Sequence, residues 1–188
     1  IKKKYEELQQ KIKQVENDRT QIEKVIGELD EKKQAAVQAA FEKVNKDFNR
    51  IFSTLLPGSS CKLIASEKEC ILNGLTIKVR FGERWLNSLV ELSGGQRSLL
   101  ALSLVLSLLL FKPAPLYILD EVDAALDENN TQNVGTMIKK NFPQSQFLIV
   151  SHKMGMFNNA NCTVKTRFEK GSSFVDIIRP GAVLKTRN

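Results

Sequence analysis

Apolar residues recur every three or four positions at the start of the chain, with charged residues between them. The series holds this spacing over residues 1–29 except at Arg19, and it comprises Ile1, Tyr5, Leu8, Ile12, Val15, Ile22, Ile26 and Leu29. Alternating steps of three and four place these side chains on one narrow stripe of a helix, which is typical of a coiled-coil seam. No second heptad segment occurs in the 188 residues, so we expect the partner helix to come from elsewhere.

The apolar face widens after residue 40 and then gives way to shorter elements. Phe41, Val44 and Phe48 predict a core-facing helix that ends near Pro57-Gly58. Strands are predicted in CKLIAS, CILNGLTIKVRF, PLYILD, SQFLIVS, CTVKTRF and SFVDII, and helices after the glycine pair at 94–95 and from about Asp127 to Asn141. Strand–helix–strand order around an all-apolar LYIL run predicts a mainly parallel, buried sheet covered by helices. The fold class is therefore α/β, with a helical arm over residues 1–45 and a globular part over 46–188.

Composition adds three constraints. The net charge is +7, and residues 153–188 hold seven Lys/Arg against two Asp/Glu, which fits either a nucleic-acid-facing patch or a solvated surface. The three cysteines, Cys61, Cys70 and Cys162, have no C-x-x-C spacing, which argues against a zinc site or a disulfide framework and suits a reducing compartment. The longest apolar run, 99–111, is shorter than the roughly 20 residues that cross a bilayer, so no membrane span is expected.

Two carboxylates follow the apolar strand LYIL. Asp120 and Glu121 stand at its carboxyl end, where open α/β sheets bind their ligands. One carboxylate is a suitable oxygen ligand for Mg²⁺, and the other can deprotonate an attacking water. An apolar strand ending in Asp-Glu also occurs as the plain start of a loop, so this pattern is only moderately specific.

A glycine-rich turn opens the apolar helix in ELSGGQRSLLALSLVLSLLLF. Backbone N–H groups at such a turn favour a phosphate. The P-loop pattern G-x-x-x-x-G-K-[ST] appears nowhere in the chain, so its lysine is missing.

LSGGQ, ILDE, AALD and LIVSH occur in this order, and together they resemble the signature motif, Walker B strand, D-loop and switch histidine of an ABC-type ATPase head. The resemblance implies that Leu92, Ser93, Gly94, Gly95 and Gln96 bind the ATP γ-phosphate held by a neighbouring head, with Arg97 supporting the turn. It implies that Asp120 binds Mg²⁺ through water, that Glu121 is the general base, and that His152 contacts the γ-phosphate. Asp127 would lie at the dimer contact. Outside this context, a lone histidine after a strand is more often a plain loop residue.

The missing P-loop and the preceding coil resemble the plan of the chromosome-maintenance (SMC) and Rad50-like proteins. The chain is interpreted as the C-terminal half of an SMC head with its returning coil. NKDFNRIFSTLLPG, DEVDAALD and GMFNNAN are most similar to the CAP-E-type subunit of condensin, although SHK at 151–153 departs from many such relatives. A Rad50-like repair ATPase, another SMC ATPase and a non-hydrolytic interaction module remain alternatives.

The resemblance also implies partners and a location. These are an N-terminal half that supplies the Walker A motif and the antiparallel coil, a second SMC subunit, a kleisin at roughly residues 21–52, and DNA held through its phosphates. It further implies ATP-driven chromosome condensation and loop extrusion in the nucleus, on chromosomes, with the cytoplasm as a second location. The isolated chain is expected to lack ATPase activity.

Overall fold

A computed structural model describes residues 2–66 and 71–179. The helices are α1 (Lys2–Leu55), α2 (Gly94–Phe111), α3 (Glu128–Asn141) and the short α4 (Met154–Phe157). The strands are β1 (Ser59–Ala65), β2 (Leu75–Phe81), β3 (Arg84–Trp85), β4 (Leu116–Asp120), β5 (Gln146–Val150), β6 (Thr163–Glu169) and β7 (Ser172–Ile178). The other predicted strands and helices are confirmed within a few residues, whereas the strand predicted in CILNGLTIKVRF begins only at Leu75 because Ile71–Asn73 form a 3₁₀ turn. Cys70, at the start of one predicted strand, lies outside the described residues.

Helix α1 runs without a break through the predicted arm and into the globular part. Its heptad positions are exposed, from Tyr5 at 62% to Leu29 at 59%. Burial begins at Val44, and Phe48, Ile51, Phe52 and Leu55 are then almost fully covered. The helix is therefore confirmed, and its apolar stripe has no cover among the described residues. A second strand of the coil and the boundary between residues 45 and 46 stay predictions.

Two asparagines of α1 take the place of a neighbouring strand along the edge of β1. The Asn45 side chain accepts a hydrogen bond from the Leu63 amide at 2.8 Å and donates to the Leu63 carbonyl at 3.1 Å. One turn further along, Asn49 accepts from the Cys61 amide at 3.0 Å. These bonds satisfy backbone groups that β2, on the other side of β1, cannot reach. The same contacts fix the helix against the sheet at the point where the arm leaves the globular part.

The prediction of a mainly parallel sheet is wrong for the described residues. Strands β1, β2 and β3 form one antiparallel sheet, and β6 and β7 form an antiparallel hairpin. Among the strands that the structure describes, β4 and β5 alone pair in parallel, because α3 supplies the crossover that a parallel pair needs. The other strands follow one another through short connections, which favour antiparallel pairing.

Within the described residues the parallel pair is covered on one face, which corrects the prediction of a buried sheet covered by helices. Tyr117 and Phe147 pack with Phe142 on the covered face, with ring centroids 4.8 to 6.0 Å apart. On the opposite face Ile118 is 66% exposed and Leu148 is 54% exposed. An all-apolar run favours a buried strand, but the described residues provide helices for one face of this pair only.

Helix α2 is the principal core helix. Its length and apolar composition would suffice for a membrane span, but Leu99, Leu100 and Leu106 are buried in a core shared with α1.

The basic excess predicted near the C-terminus lies only partly within the described residues. There Arg167 on β6 donates to Asp176 on β7 at 2.8 Å and also pairs with Glu169, so this cation is neutralised locally. Both carboxylates raise the pKa of Arg167, Glu169 the more strongly.

Candidate functional site

The glycine turn forms the start of α2, as the sequence predicted. Ser93 caps the helix: its hydroxyl accepts from the Gln96 amide at 3.3 Å, and the Gln96 side chain accepts from the Ser93 amide at 3.0 Å. The Arg97 amide bonds back to the Ser93 carbonyl. This capping box leaves the amides at the very start of the helix pointing outward, at the positive end of an 18-residue helix dipole. The turn has the electrostatics of an anion site.

The two glycines of the turn have different surroundings. A Cβ added at Gly94 would meet nothing within 4 Å, whereas one at Gly95 would lie 3.1 Å from the Ala125 carbonyl oxygen. Gly95 therefore allows the turn to pack against the loop that follows β4, and Gly94 leaves the backbone open to solvent. The structure thus brings the predicted signature turn into contact with the AALD segment, which is the predicted D-loop.

Asp120 and Glu121 lie at the carboxyl end of β4. Asp120 is opposite Val150 in the parallel register, and the Glu121 amide donates to the Val150 carbonyl at 2.9 Å. Glu121 has a left-handed backbone with φ of 47°, which costs a non-glycine residue about 1–2 kcal/mol. Such strain at the end of a strand redirects the side chain and is frequent at functional sites.

Glu121 and His152 are brought together although they are far apart in sequence. His152 Nε2 lies 2.9 Å from Glu121 Oε1. The His152 side chain is 85% exposed and the Glu121 side chain is 52% exposed, so both are open to a ligand. A neutral imidazole with its proton on Nε2 donates to the carboxylate and leaves that carboxylate able to accept a proton from water. The pair supplies a base and a group that orients it.

The loop after Glu121 is fastened to the end of β5 by contacts that the sequence reasoning missed. Asp123 is almost fully buried and accepts from the Ser151 hydroxyl at 2.6 Å. Lys153 donates from Nζ to the Ala124 carbonyl at 3.1 Å and to the Leu126 carbonyl. The signals in the sequence were the second aspartate of DEVDAALD and the lysine after the histidine. Neither residue reveals its partner without the fold.

Asp127 occupies the N-cap of α3. Its carboxylate accepts from the Asn130 amide at 2.7 Å and from the Asn130 side chain at 3.0 Å. This is a sufficient local reason for an aspartate at this position, because an N-cap is worth about 1 kcal/mol. A role at a dimer contact stays a prediction.

The donor set fits Mg²⁺ bound mainly through water. Within residues 2–66 and 71–179, no three His, Cys, Asp or Glu side chains gather into a metal cluster. Asp120 at the strand end is an exposed oxygen donor, and Mg²⁺ is commonly held by one or two carboxylates together with waters and substrate phosphates. The residues present therefore suit a metal that arrives with a nucleotide.

Comparison with known proteins places this α/β fold in a family. The family model described as RecF/RecN/SMC N terminal domain matches residues 2–173. The chain belongs to this family, and its fold is that of an SMC ATPase head segment.

Curated relatives and solved structures agree with this assignment. The chain is 60% identical over 171 residues to Structural maintenance of chromosomes protein 2 of Dictyostelium discoideum and 57% identical to the human protein of that name, covering 91% of this chain and 14% of each relative. The chain thus spans about a seventh of these relatives. The Smc head domain of Pyrococcus furiosus, solved with an extended coiled coil and bound to the C-terminal domain of ScpA, aligns with TM-score 0.83 at 31% identity, covering 95% of this chain and 45% of that one.

The family match corrects one prediction. The prediction of a C-terminal half-head is wrong, because the family model that matches 172 residues, 2 to 173, is that of the N terminal domain. That assignment, and with it the C-terminal lobe in the predicted fold class, is withdrawn. The prediction rested on the missing P-loop motif and the preceding coil, and the local geometry of an α/β fold does not encode a position within a longer protein. The 188 residues still contain no G-x-x-x-x-G-K-[ST] pattern.

Proposed function

We propose that this chain is the part of a condensin-type SMC ATPase head that hydrolyses ATP between two engaged heads. The observation that carries the proposal is the Glu121–His152 pair, 2.9 Å apart at the carboxyl ends of the two parallel strands and directly after Asp120. A carboxylate base, an orienting imidazole and a metal-binding carboxylate are the groups that water attack on a phosphoanhydride requires.

Each group has a role that its surroundings support. Glu121 accepts the proton of the attacking water, and His152 holds that carboxylate and faces the γ-phosphate. Asp120 would hold Mg²⁺ through water, and the bound metal would neutralise charge on the phosphates. The turn of Ser93 and Gly94 offers helix-start amides to a γ-phosphate, and the open space at Gly94 permits its close approach.

The chain does not contain every group that this reaction needs. A phosphate-gripping lysine loop of the P-loop type is absent from the 188 residues, so it must come from another segment or another chain. We therefore expect the isolated chain to lack ATPase activity. The proposed role at Ser93 is accordingly toward a nucleotide held by the opposing head.

The assembly proposed for the whole protein follows its relatives. A related head is described as bound to ScpA, and we propose a kleisin of that kind on α1 over roughly residues 21–52. The uncovered heptad stripe of α1 suits an antiparallel coil, and a second SMC subunit completes the nucleotide site. DNA bound through its phosphates, on chromosomes in the nucleus, is the proposed setting. High identity to chromosome-maintenance protein 2 from several organisms favours this over a Rad50-like repair ATPase.

The proposal is tested with the full-length protein that contains this chain, assembled with its SMC partner. Glu121→Gln keeps the shape and removes the base, so we expect ATP turnover to fall about 100-fold or more while ATP binding persists. Glu83→Gln, in the exposed turn between β2 and β3, is the matched control and should turn over ATP normally. An assembled complex without ATPase activity, or a Glu121→Gln variant with normal turnover, would refute the proposal.

A further inference from the structure

We propose that Lys153 is a positioning residue that clamps the loop 121–126 and so sets the geometry of Glu121 and His152. The proposal rests on the ATPase function argued above, and it concerns a residue that contacts loop carbonyls instead of substrate. Lys153 stands directly after His152, and its ammonium reaches the Ala124 and Leu126 carbonyls.

The ammonium compensates an otherwise unfavourable arrangement of the loop. Two carbonyl oxygens of one short loop converge on a single point, where their partial negative charges repel each other. Lys153 is half-buried, and no salt bridge joins it to a carboxylate in the described part of the chain. Its charge is therefore satisfied by these carbonyls. Removing the ammonium leaves both oxygens without their donor, and the loop has to rearrange.

A second contact fastens the same loop on the other side of His152. The Ser151 hydroxyl donates to the buried Asp123 carboxylate at 2.6 Å and accepts from the Lys153 amide at 3.0 Å. His152 is thus held between two anchored neighbours, both tied to the loop that begins at Glu121. The side chains of His152 and Glu121 are both exposed, so little packing holds them in place. The distance between the imidazole and the carboxylate therefore depends on these anchors.

The clamp also reaches the glycine turn. The Ala125 carbonyl, between the two carbonyls that Lys153 binds, lies against Gly95 at the start of α2. A shift of this loop therefore moves the turn proposed to face the opposing nucleotide. Lys153 connects the base, the histidine and the turn through one packed loop.

The test compares Lys153→Met with wild type in the full-length protein and its assembled partner. Methionine keeps an unbranched apolar stem and removes the charge. We expect kcat to fall at least tenfold while the KM for ATP changes less than about threefold, because the substitution removes no group that is proposed to contact the nucleotide. Hydrogen exchange should accelerate about tenfold or more at the Ala124 and Leu126 amides, which bond within the loop to Glu121 and Asp123. Lys165→Met, on the exposed strand β6, should leave kcat, KM and hydrogen exchange in the loop unchanged.

The outcomes separate this inference from the proposed function. Unchanged hydrogen exchange in the loop would overturn the clamp, and faster exchange with normal kcat would overturn its link to catalysis. If Lys153→Met does not fold, Ser151→Ala removes the second anchor and must show the same split between kcat and KM. A wild-type complex that hydrolyses no ATP would refute the proposed function and the catalytic role of the clamp, whereas the exchange measurement would still decide whether the clamp exists.

Discussion

Replacing Asn45 by leucine tests how the arm is joined to the globular part. The substitution keeps a side chain of similar size but removes the amide that bonds to both the amide and the carbonyl of Leu63. Strand β1 then has an edge with two backbone groups facing an apolar side chain. The prediction is a local loss of stability where α1 leaves the sheet.

The size of the effect follows from the two unsatisfied groups. A buried donor or acceptor without a partner costs about 1–3 kcal/mol, and two give about 2–6 kcal/mol. Asn45 is only half-buried, so water reaches part of the gap and the low end, about 2 kcal/mol, is expected. Asn49→Leu removes a single bond, to the Cys61 amide, and should cost about 1 kcal/mol.

Native-state hydrogen exchange across β1 and β2 is the appropriate assay, because it reports local opening without a two-state assumption. A 2 kcal/mol loss corresponds to exchange about 30-fold faster, since 1.4 kcal/mol is tenfold. Gln38→Leu, whose side chain bonds to exposed Glu42 one turn away, is the control and should leave β1 unchanged. If Asn45→Leu exchanges like wild type, α1 does not protect the strand edge and the interpretation of this junction is wrong.

Two further predictions concern the glycine turn and the cysteines. Gly95→Ala should slow ATP turnover at least tenfold and speed hydrogen exchange in the loop, because the added methyl group pushes on the Ala125 carbonyl. Gly94→Ala, with open space around it, should leave that exchange unchanged. Equal exchange in both variants would contradict the packing of Gly95 against the loop. Burial raises the pKa of the Cys61 thiol to about 12, so at pH 8 it stays protonated and should resist alkylation by iodoacetamide. Exposed Cys162 should react, and rapid labelling at Cys61, read from its peptide by mass spectrometry, would contradict its burial.

Local patterns predicted the elements because their causes are local. The heptad spacing and Pro57-Gly58 indicated a long helix and its end, and α1 ends at Leu55. Ser93 and Gln96 form the capping box at the start of α2 that their spacing allows. Strand β2 begins at Leu75, directly after Gly74, whose φ of 121° favours glycine.

Contacts between distant segments were not predictable in the same way. The antiparallel majority of strand pairs depends on which connections carry a helix, and an apolar run such as LYIL does not report whether one face or two will be covered. Asn45 replaces a neighbouring strand through its side chain, which no strand pattern reveals. Lys153 bonds to carbonyls, and every residue has a carbonyl, so its partner has no sequence signature.

The central claim is that the glycine turn of this chain acts on a nucleotide held by an opposing head. The direct measurement is ATP-dependent engagement of two heads in the full-length Glu121→Gln protein, with and without Ser93→Arg. Engagement is detected by cross-linking between the heads or by the size of the complex in solution. The account predicts stable engagement in ATP for Glu121→Gln alone. With Ser93→Arg added, the arginine blocks the turn, so engagement should be lost while ATP binding by the protein persists. Engagement that survives Ser93→Arg, or that is lost together with ATP binding, would contradict the claim.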